Sequence, residues 1–522
     1  MRVLLIYPEF PKTYWSFDQA LKLLGSKVLL SPLGLITVAA LLPQDWELKL
    51  VDCNIRAVEP EEWLWADLMM ASAMLVQKRD LQHQISLAKT HQLPVAVGGP
   101  FASSTPDAPE LNQADYLILD EGEITIPLFL EALKQGEAKG RFSANGEKPD
   151  VNQSPIPRFN LLELKAYSMM AIQFSRGCPF QCEFCDIIVL YGRKPRTKEP
   201  EQVLAELQAL LDLGWRHEIF LVDDNFIGNK RNVKALLPKL QDWQEQHGHP
   251  FGFTTEASVD LADDDALMDA MARSGFKRVF LGIETPDQES LLLTKKNQNT
   301  RSPLNDAVER ITAHGLQVMA GFIIGFDGEQ AGAGQRISAF VQQTGIPLAM
   351  IGVLQALPNT ALWHRLHKEH RLLDHPDTFD EGVITHLLNF RPSRPIHHLA
   401  AEFVQAFADL YDPVPYLERV YHYCCKLAAA RRPQLRRWNQ SSGLIRGLLI
   451  LCWRQGVLRE TRWLFWKRLA QISLNHGQIL DEYLWLLMLN EHFIDYQVVI
   501  RDQVKQQLAY HDASLLAAGS LP

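Results

Sequence analysis

The segment Ser175-Arg176-Gly177-Cys178-Pro179-Phe180-Gln181-Cys182-Glu183-Phe184-Cys185-Asp186 holds three of the chain's seven cysteines within eight residues. Their spacing is Cys-x3-Cys-x2-Cys. Soft thiolates at this density suit zinc or an iron–sulfur cluster. A structural zinc site takes four ligands, and the first histidine downstream is His217. Three thiolates on a four-iron cluster leave one iron open to bind and activate a substrate. Two blander readings stand beside it: three unligated thiols in a loop, and a zinc site completed by a distant ligand. Of the remaining cysteines, Cys424, Cys425 and Cys452 read as buried apolar residues, and with Cys53 they are all that is left for a second cluster, which would want four thiolates. An odd, sparse set argues against a secreted disulfide scaffold.

The sequence around this segment alternates strand and helix patterns. Strands read at Ala171–Ser175, Ile219–Asp223, Phe251–Thr255, Arg278–Ile283, Gln317–Ile324 and Met350–Ala356. Helical patterns separate them, as at Pro200–Leu213 and Asn232–His247. Six βα units over 168–395 predict a partial TIM-type (β/α)6 barrel. The cysteines then follow its first strand, at the end where such barrels carry their chemistry. Upstream, residues 1–145 alternate in the same way, with strands at Val3–Tyr7, Leu48–Asp52, Leu68–Ala73, Val95–Gly98 and Tyr116–Leu119. That predicts a doubly wound, Rossmann-like parallel sheet, with ligands outside the carboxyl ends of its strands. Residues 146–167, rich in Gly and Pro, read as a linker. Residues 396–522 show only helix patterns and predict an all-helical extension.

The cysteine spacing, with Phe184 just before the last cysteine, resembles the radical S-adenosylmethionine (SAM) signature. The resemblance implies that Cys178, Cys182 and Cys185 hold a [4Fe–4S] cluster whose open iron chelates SAM. Reductive cleavage of SAM then yields a 5′-deoxyadenosyl radical that abstracts a hydrogen atom. It places Phe184 near the adenine, and Asp223, Asp224 and Asn225 at the strand end that binds the SAM amino group. Gly321-Phe322-Ile323-Ile324-Gly325 resembles the family's G-x-I-x-G element, so Gly321 and Gly325 would border the adenine. The Glu that often follows is shifted to Glu329 and is not assigned. Glu284, in Gly282-Ile283-Glu284-Thr285, ends another strand. Local readings compete: Asp-Asp-Asn would equally cap a helix, the glycines would serve turns, and Glu256 and Glu284 would serve as salt-bridged barrel residues.

No Gly-x-Gly-x-x-Gly follows the first strand and no P-loop is present, which argues against NAD, FAD and nucleoside triphosphates. A sheet directly before such a barrel resembles the cobalamin-binding radical SAM class. Ser31-Pro32-Leu33-Gly34-Leu35, Val97-Gly98-Gly99-Pro100 and Asp120-Glu121-Gly122-Glu123 look like that class's recurrent elements. Gly98 and Gly99 would let backbone approach the corrin. The Asp-x-His-x-x-Gly motif that supplies a cobalt-binding histidine is absent. The loop from Ser72 to Gln77 would then face the lower side of the cobalt. A purely structural sheet is the competing reading.

The opening Tyr7-Pro8-Glu9-Phe10-Pro11, with Tyr14-Trp15-Ser16-Phe17 and the helical extension, is similar to the subgroup that includes hopanoid C-2 methylases. The resemblance implies methyl transfer to an unactivated carbon, of a small molecule or of a polycyclic lipid such as a hopanoid, fed by an electron donor such as a flavodoxin or ferredoxin. A non-methylating rearrangement or cyclisation, and a non-catalytic cofactor-binding protein, are the alternatives.

Composition sets outer bounds. The 522 residues carry 52 Lys+Arg against 61 Asp+Glu, a net charge of −9, with 47% hydrophobic and 22% charged residues. That is a globular chain and a poor general nucleic-acid binder. No apolar run reaches about 18 residues, and no cleavage site follows the short apolar start, so a cytoplasmic protein is expected. Between Arg431 and Arg468 stand ten Lys/Arg, one acid (Glu460) and four Trp. This segment reads as a solvated basic face over a helical core, as a peripheral contact with the anionic inner face of a membrane, or as a local nucleic-acid contact.

Overall fold

Val3-Leu4-Leu5-Ile6 is a run of apolar residues without polar interruption, and all four side chains are fully buried. Such a run suits the centre of a parallel sheet covered on both faces. The computed structural model describes residues 1–373, 387–431 and 442–517. Its first strands are β1 (Arg2–Tyr7), β2 (Val28–Leu30), β3 (Glu47–Asp52), β4 (Leu68–Ser72), β5 (Val95–Gly98), β6 (Tyr116–Ile118) and β7 (Gly140–Phe142). Six of them form one sheet in the order β3-β1-β4-β5-β6-β7. Every pairing in it is parallel. Strand β1 has β3 on one side and β4 on the other, so the strand order reverses there. The crevice at the carboxyl ends of β1 and β4 is where a doubly wound sheet binds its ligand.

The chain continues with β8 (Tyr167–Ile172), β9 (Ser175–Arg176), β10 (Arg196–Thr197), β11 (Glu218–Leu221), β12 (Gly252–Ala257), β13 (Phe276–Glu284), β14 (Gln317–Ile324) and β15 (Leu348–Val353). Strands β8 and β11 to β15, with intervening helices, are the six βα units expected from the sequence. The first of them starts earlier than the pattern indicated, at Tyr167.

The chain divides into two compact units. The first holds residues 1–11, 26–179 and 186–253, the second 12–25, 180–185 and 254–522. In the first unit β11 runs parallel to β8, with Leu221 opposite Ile172. Strand β2 pairs with the other edge of β8, Val28 opposite Tyr167. No strand was expected at 28–30, because three residues are too short for a period-2 signal. The side chain of Ser31 fixes the exit of β2 by accepting the Ala171 N–H at 3.0 Å.

In the second unit β13, β14 and β15 run parallel in succession. The segment 12–25 belongs here, among the C-terminal helices Ile396–Tyr411 and Leu480–Ala517. The Tyr14 ring stacks on Phe493 at 4.9 Å, and its hydroxyl lies 2.7 Å from that of Tyr411. The last helix runs on to Ala517. Phe493, Tyr496, Ile500 and Val504 carry its buried face onward at three- and four-residue steps. Among the described residues, no helix is long and apolar enough to cross a membrane.

Candidate cofactor site

In the first unit the approach to Cys178 is pinned from the end of β11. Asp223 is buried, and its carboxylate accepts the Phe174 N–H at 2.8 Å, the Ser175 N–H at 2.9 Å and the Ser175 hydroxyl at 2.7 Å. Asp224 accepts the Gly177 N–H at 2.7 Å. Asn225 points its Nδ2 at the Cys178 Sγ, 4.0 Å away. Burial pushes the Asp223 carboxyl up to about 7 against the pull of its hydrogen bonds, and the Asp224 carboxyl up to about 6. These residues therefore hold the strand-to-loop turn rather than cap a helix. The following helix, Lys230–Gln246, is capped by Asn229.

Arg176, two residues before Cys178, is gripped by the loop after β6. Its guanidinium donates to Glu121 at 2.8 Å and to Glu123 at 2.8 and 3.0 Å. Arg196 adds a second clamp, donating to both Glu121 oxygens at 2.8 and 3.0 Å. Burial works against a charged Glu123, but the Arg176 guanidinium outweighs it and brings the carboxyl down to about 2. The Asp120-Glu121-Gly122-Glu123 element thus ties the first sheet to the root of the cysteine loop.

In the second unit the last two cysteines meet residues 296–299, a stretch without a motif of its own. Cys182 is buried and Cys185 half-buried. Gln298 directs its Nε2 at the Cys182 Sγ, 3.7 Å away. Lys296 pairs with Glu284 at 2.6 Å and lies 5.9 Å from the centre of the Phe184 ring. Burial disfavours the ammonium, yet Glu284, Cys182 and Cys185 together hold it charged, above the usual lysine range. Glu284 has φ of 64°. Asn299 braces the turn before it by donating to the carbonyls of Gly282 at 2.9 Å and Ile283 at 3.0 Å. Glu284 is thus salt-bridged, as one of its two readings held, and its partner sits beside the cysteines. Adjacent Lys295-Lys296 after an Asp-capped helix was the available signal, but surface lysine pairs look the same in sequence.

Phe184 also packs on Phe326, 5.6 Å between centroids. Gly325 has φ of 107° and donates its N–H to Glu329 at 3.0 Å. The same Glu329 oxygen accepts from Arg394 at 2.9 Å. The displaced Glu therefore anchors the final glycine of the G-x-I-x-G element. A Cβ at Gly321 would lie 3.0 Å from the Phe280 ring.

At the reversal point of the first sheet, Gln77 is buried and cross-links the two crevice loops. Its side chain donates to the Pro8 carbonyl at 2.5 Å and accepts the Met74 N–H at 2.8 Å. Beside it Met74, Leu75 and Val76 form an exposed apolar trio, a suitable floor for a large flat ligand. The need for glycine at 98 and 99 is internal. A Cβ at Gly98 would sit 2.9 Å from the Ile118 carbonyl, and one at Gly99, where φ is 91°, would sit 2.5 Å from the Ser72 hydroxyl. Any side chain at 99 would thus have to displace Ser72.

Among the described residues, no three His, Cys, Asp or Glu side chains gather as a site for a single metal ion. The donor chemistry instead fits a thiolate-held cluster. Cys178 and Cys182 each receive an amide N–H donor at sulfur distance, and an ammonium offsets negative charge at Cys182 and Cys185. Such donors around cysteine sulfurs stabilise and tune iron–sulfur clusters.

A radical SAM superfamily model matches residues 172–333, and a Domain of unknown function (DUF4070) matches residues 360–506. An uncharacterized methyltransferase of Synechocystis sp. is 57% identical over 97% of this chain and 94% of its own. The hopanoid C-2 methylase of Rhodopseudomonas palustris is 34% identical over 95% of this chain and 93% of its own. The fold is also that of the radical SAM methyltransferase TsrM of Kitasatospora setae. That superposition has a TM-score of 0.57 at 16% identity, over 79% of this chain and 89% of TsrM. The cobalamin-dependent radical enzyme OxsB gives a TM-score of 0.57 at 17% identity, over 100% of this chain and 81% of OxsB. The family model and these relatives define a radical SAM enzyme. The chain belongs to the methyltransferase family of that superfamily that includes hopanoid C-2 methylase.

Proposed function

We propose that the chain is a cobalamin-dependent radical SAM methyltransferase whose acceptor is an unactivated carbon of a polycyclic lipid, of the hopanoid class. The observation that carries this is the reach of its similarity to hopanoid C-2 methylase. It spans 504 residues, beyond the radical SAM segment into the first sheet and the helical extension. The cofactors supply the radical and the methyl group; the protein supplies position and exclusion of water. Cys178, Cys182 and Cys185 would hold the cluster, with Asn225 donating to the Cys178 sulfur and Gln298 to the Cys182 sulfur. Asp223 and Asp224 keep the loop root closed. Phe184 offers a ring face beside the charged Lys296, suited to an adenine. Met74, Leu75 and Val76 would offer an apolar floor to cobalamin. A flavodoxin- or ferredoxin-type protein delivers the electrons, and the enzyme works in the cytoplasm, peripheral to the inner face of the membrane.

The test uses protein purified without oxygen, reconstituted with iron and sulfide and offered hydroxocobalamin. Iron, sulfide and cobalt are measured per chain, with Cys182→Ala as control. About four irons and one cobalt, with the iron lost in the control, are expected. Iron without cobalt makes the first sheet a scaffold, and no cysteine-dependent iron refutes the reading. Methyl-labelled SAM with membrane lipids then reports transfer. SAM cleavage without a labelled product favours the non-methylating alternative.

A further inference from the structure

Helix Ser442–Trp453, the wide turn Arg454–Leu458 and helix Arg462–Asn475 carry an unusual surface. Leu449, Trp453, Leu458, Trp463 and Leu474 are each more than half exposed, and Trp463 reaches 74%. Buried large side chains are the rule for Leu, and Trp is well buried on average, so five such residues on adjoining elements mark an interaction site. On the second helix Trp463, Trp466, Lys467 and Leu474 recur at helical spacing along one exposed side.

Charge selects the occupant. From 442 to 475 the only acid is Glu460, against six Lys/Arg. Three of the six serve the interior: Arg454 and Arg459 pair with the buried Glu491, and Arg468 with Glu418. Arg446, Arg462 and Lys467 are exposed among the apolar residues. Arg432, Arg436, Arg437 and Trp438, part of the same expected basic segment, lie outside the described residues. Exposed Trp and Leu interleaved with cations match the interface of an anionic bilayer.

We propose that this surface docks the protein on anionic lipid, with Trp453, Trp463 and Leu474 inserted at headgroup level and Arg446, Arg462 and Lys467 on the lipid charges. It rests on the peripheral placement above, not on the identity of the methyl acceptor. The test is flotation of the full-length reconstituted protein with vesicles of phosphatidylcholine, with or without phosphatidylglycerol. Binding to the anionic vesicles is expected, weakened by salt. R446Q/R462Q/K467Q loses about fivefold per base and with it the preference for anionic lipid. W453A/W463A/L474A loses binding to both vesicles, while iron content and thermal midpoint stay at wild type. Equal flotation of wild type and this triple variant overturns the proposal. So does a triple variant that converts a dimer to a monomer in light scattering without any vesicle binding by wild type, which assigns the surface to a second copy.

Discussion

Replacing Arg176 with Met should loosen the root of the cysteine loop by an amount the structure sets. The guanidinium makes three hydrogen bonds to Glu121 and Glu123, and the three side chains are 13%, 3% and 5% exposed. Glu123 is brought from 4.5 to about 2. That difference is about 3 kcal/mol of stabilisation of the charged form. The figure agrees with the ~3–5 kcal/mol lost on breaking one half of a buried pair. Arg196 still grips Glu121, so the loss falls mainly on Glu123. Hydrogen exchange of the amides at 174–178 reads the local opening. About 3 kcal/mol corresponds to roughly 150-fold less protection. Arg176→Lys keeps the charge but not the fork, and should fall between wild type and Met. Glu123→Gln in the Met background should recover part of the loss, because no buried carboxylate is left unpaired. The pH dependence has a fixed sign. A depressed carboxyl stabilises above its unfolded value, so protection should hold above pH 4.5 and fall towards pH 2. Less than a fivefold change in Arg176→Met, or equal exchange with and without Glu123→Gln, refutes the clamp.

Asp223 and Asp224 act in the opposite sense: raised to about 7 and about 6, they stabilise fully below pH 4 and lose that contribution as pH rises through 6 to 7. Asp223→Asn should flatten the decline of the thermal midpoint across that window. Lys296→Met removes the cation beside Glu284 and the last two cysteines, and should lower both reconstituted iron per chain and the thermal midpoint, by about 3–5 kcal/mol for the broken buried pair; Glu284→Gln/Lys296→Met should restore much of the midpoint. Gly447→Ala should destabilise, although Ala ordinarily gains about 1 kcal/mol over Gly in a helix. The added Cβ would sit 2.1 Å from the Leu23 carbonyl, so a higher melting point in that variant contradicts the packing. Gly99→Ala should cost about 1–3 kcal/mol for a backbone conformation open essentially only to glycine, plus the clash with Ser72, and reduce cobalt retention in a gel-filtration assay.

What the sequence determined by itself is local or periodic. The Cys-x3-Cys-x2-Cys spacing lies within one loop, and the G-x-I-x-G element at the end of one strand. Eleven of the strands show in the sequence as largely apolar runs, because burying both faces of a parallel strand leaves little place for polar residues; β7, Gly140–Phe142, does not. Only the tertiary structure decided the rest. Strand β2 is three residues long and takes its place from an edge of β8 far along the chain. Glu121 and Glu123 read as part of a glycine-containing turn until folding brings Arg176, more than fifty residues later, onto them. Lys296 and Gln298 lie more than a hundred residues from Cys182, with no pattern of their own. The Trp residues near the C-terminus fit an apolar helix core in sequence, yet Trp463 faces outward. Hydrogen bonds, ion pairs and exposure depend on which distant residue arrives beside each group, and no short-range pattern in a chain records that arrival.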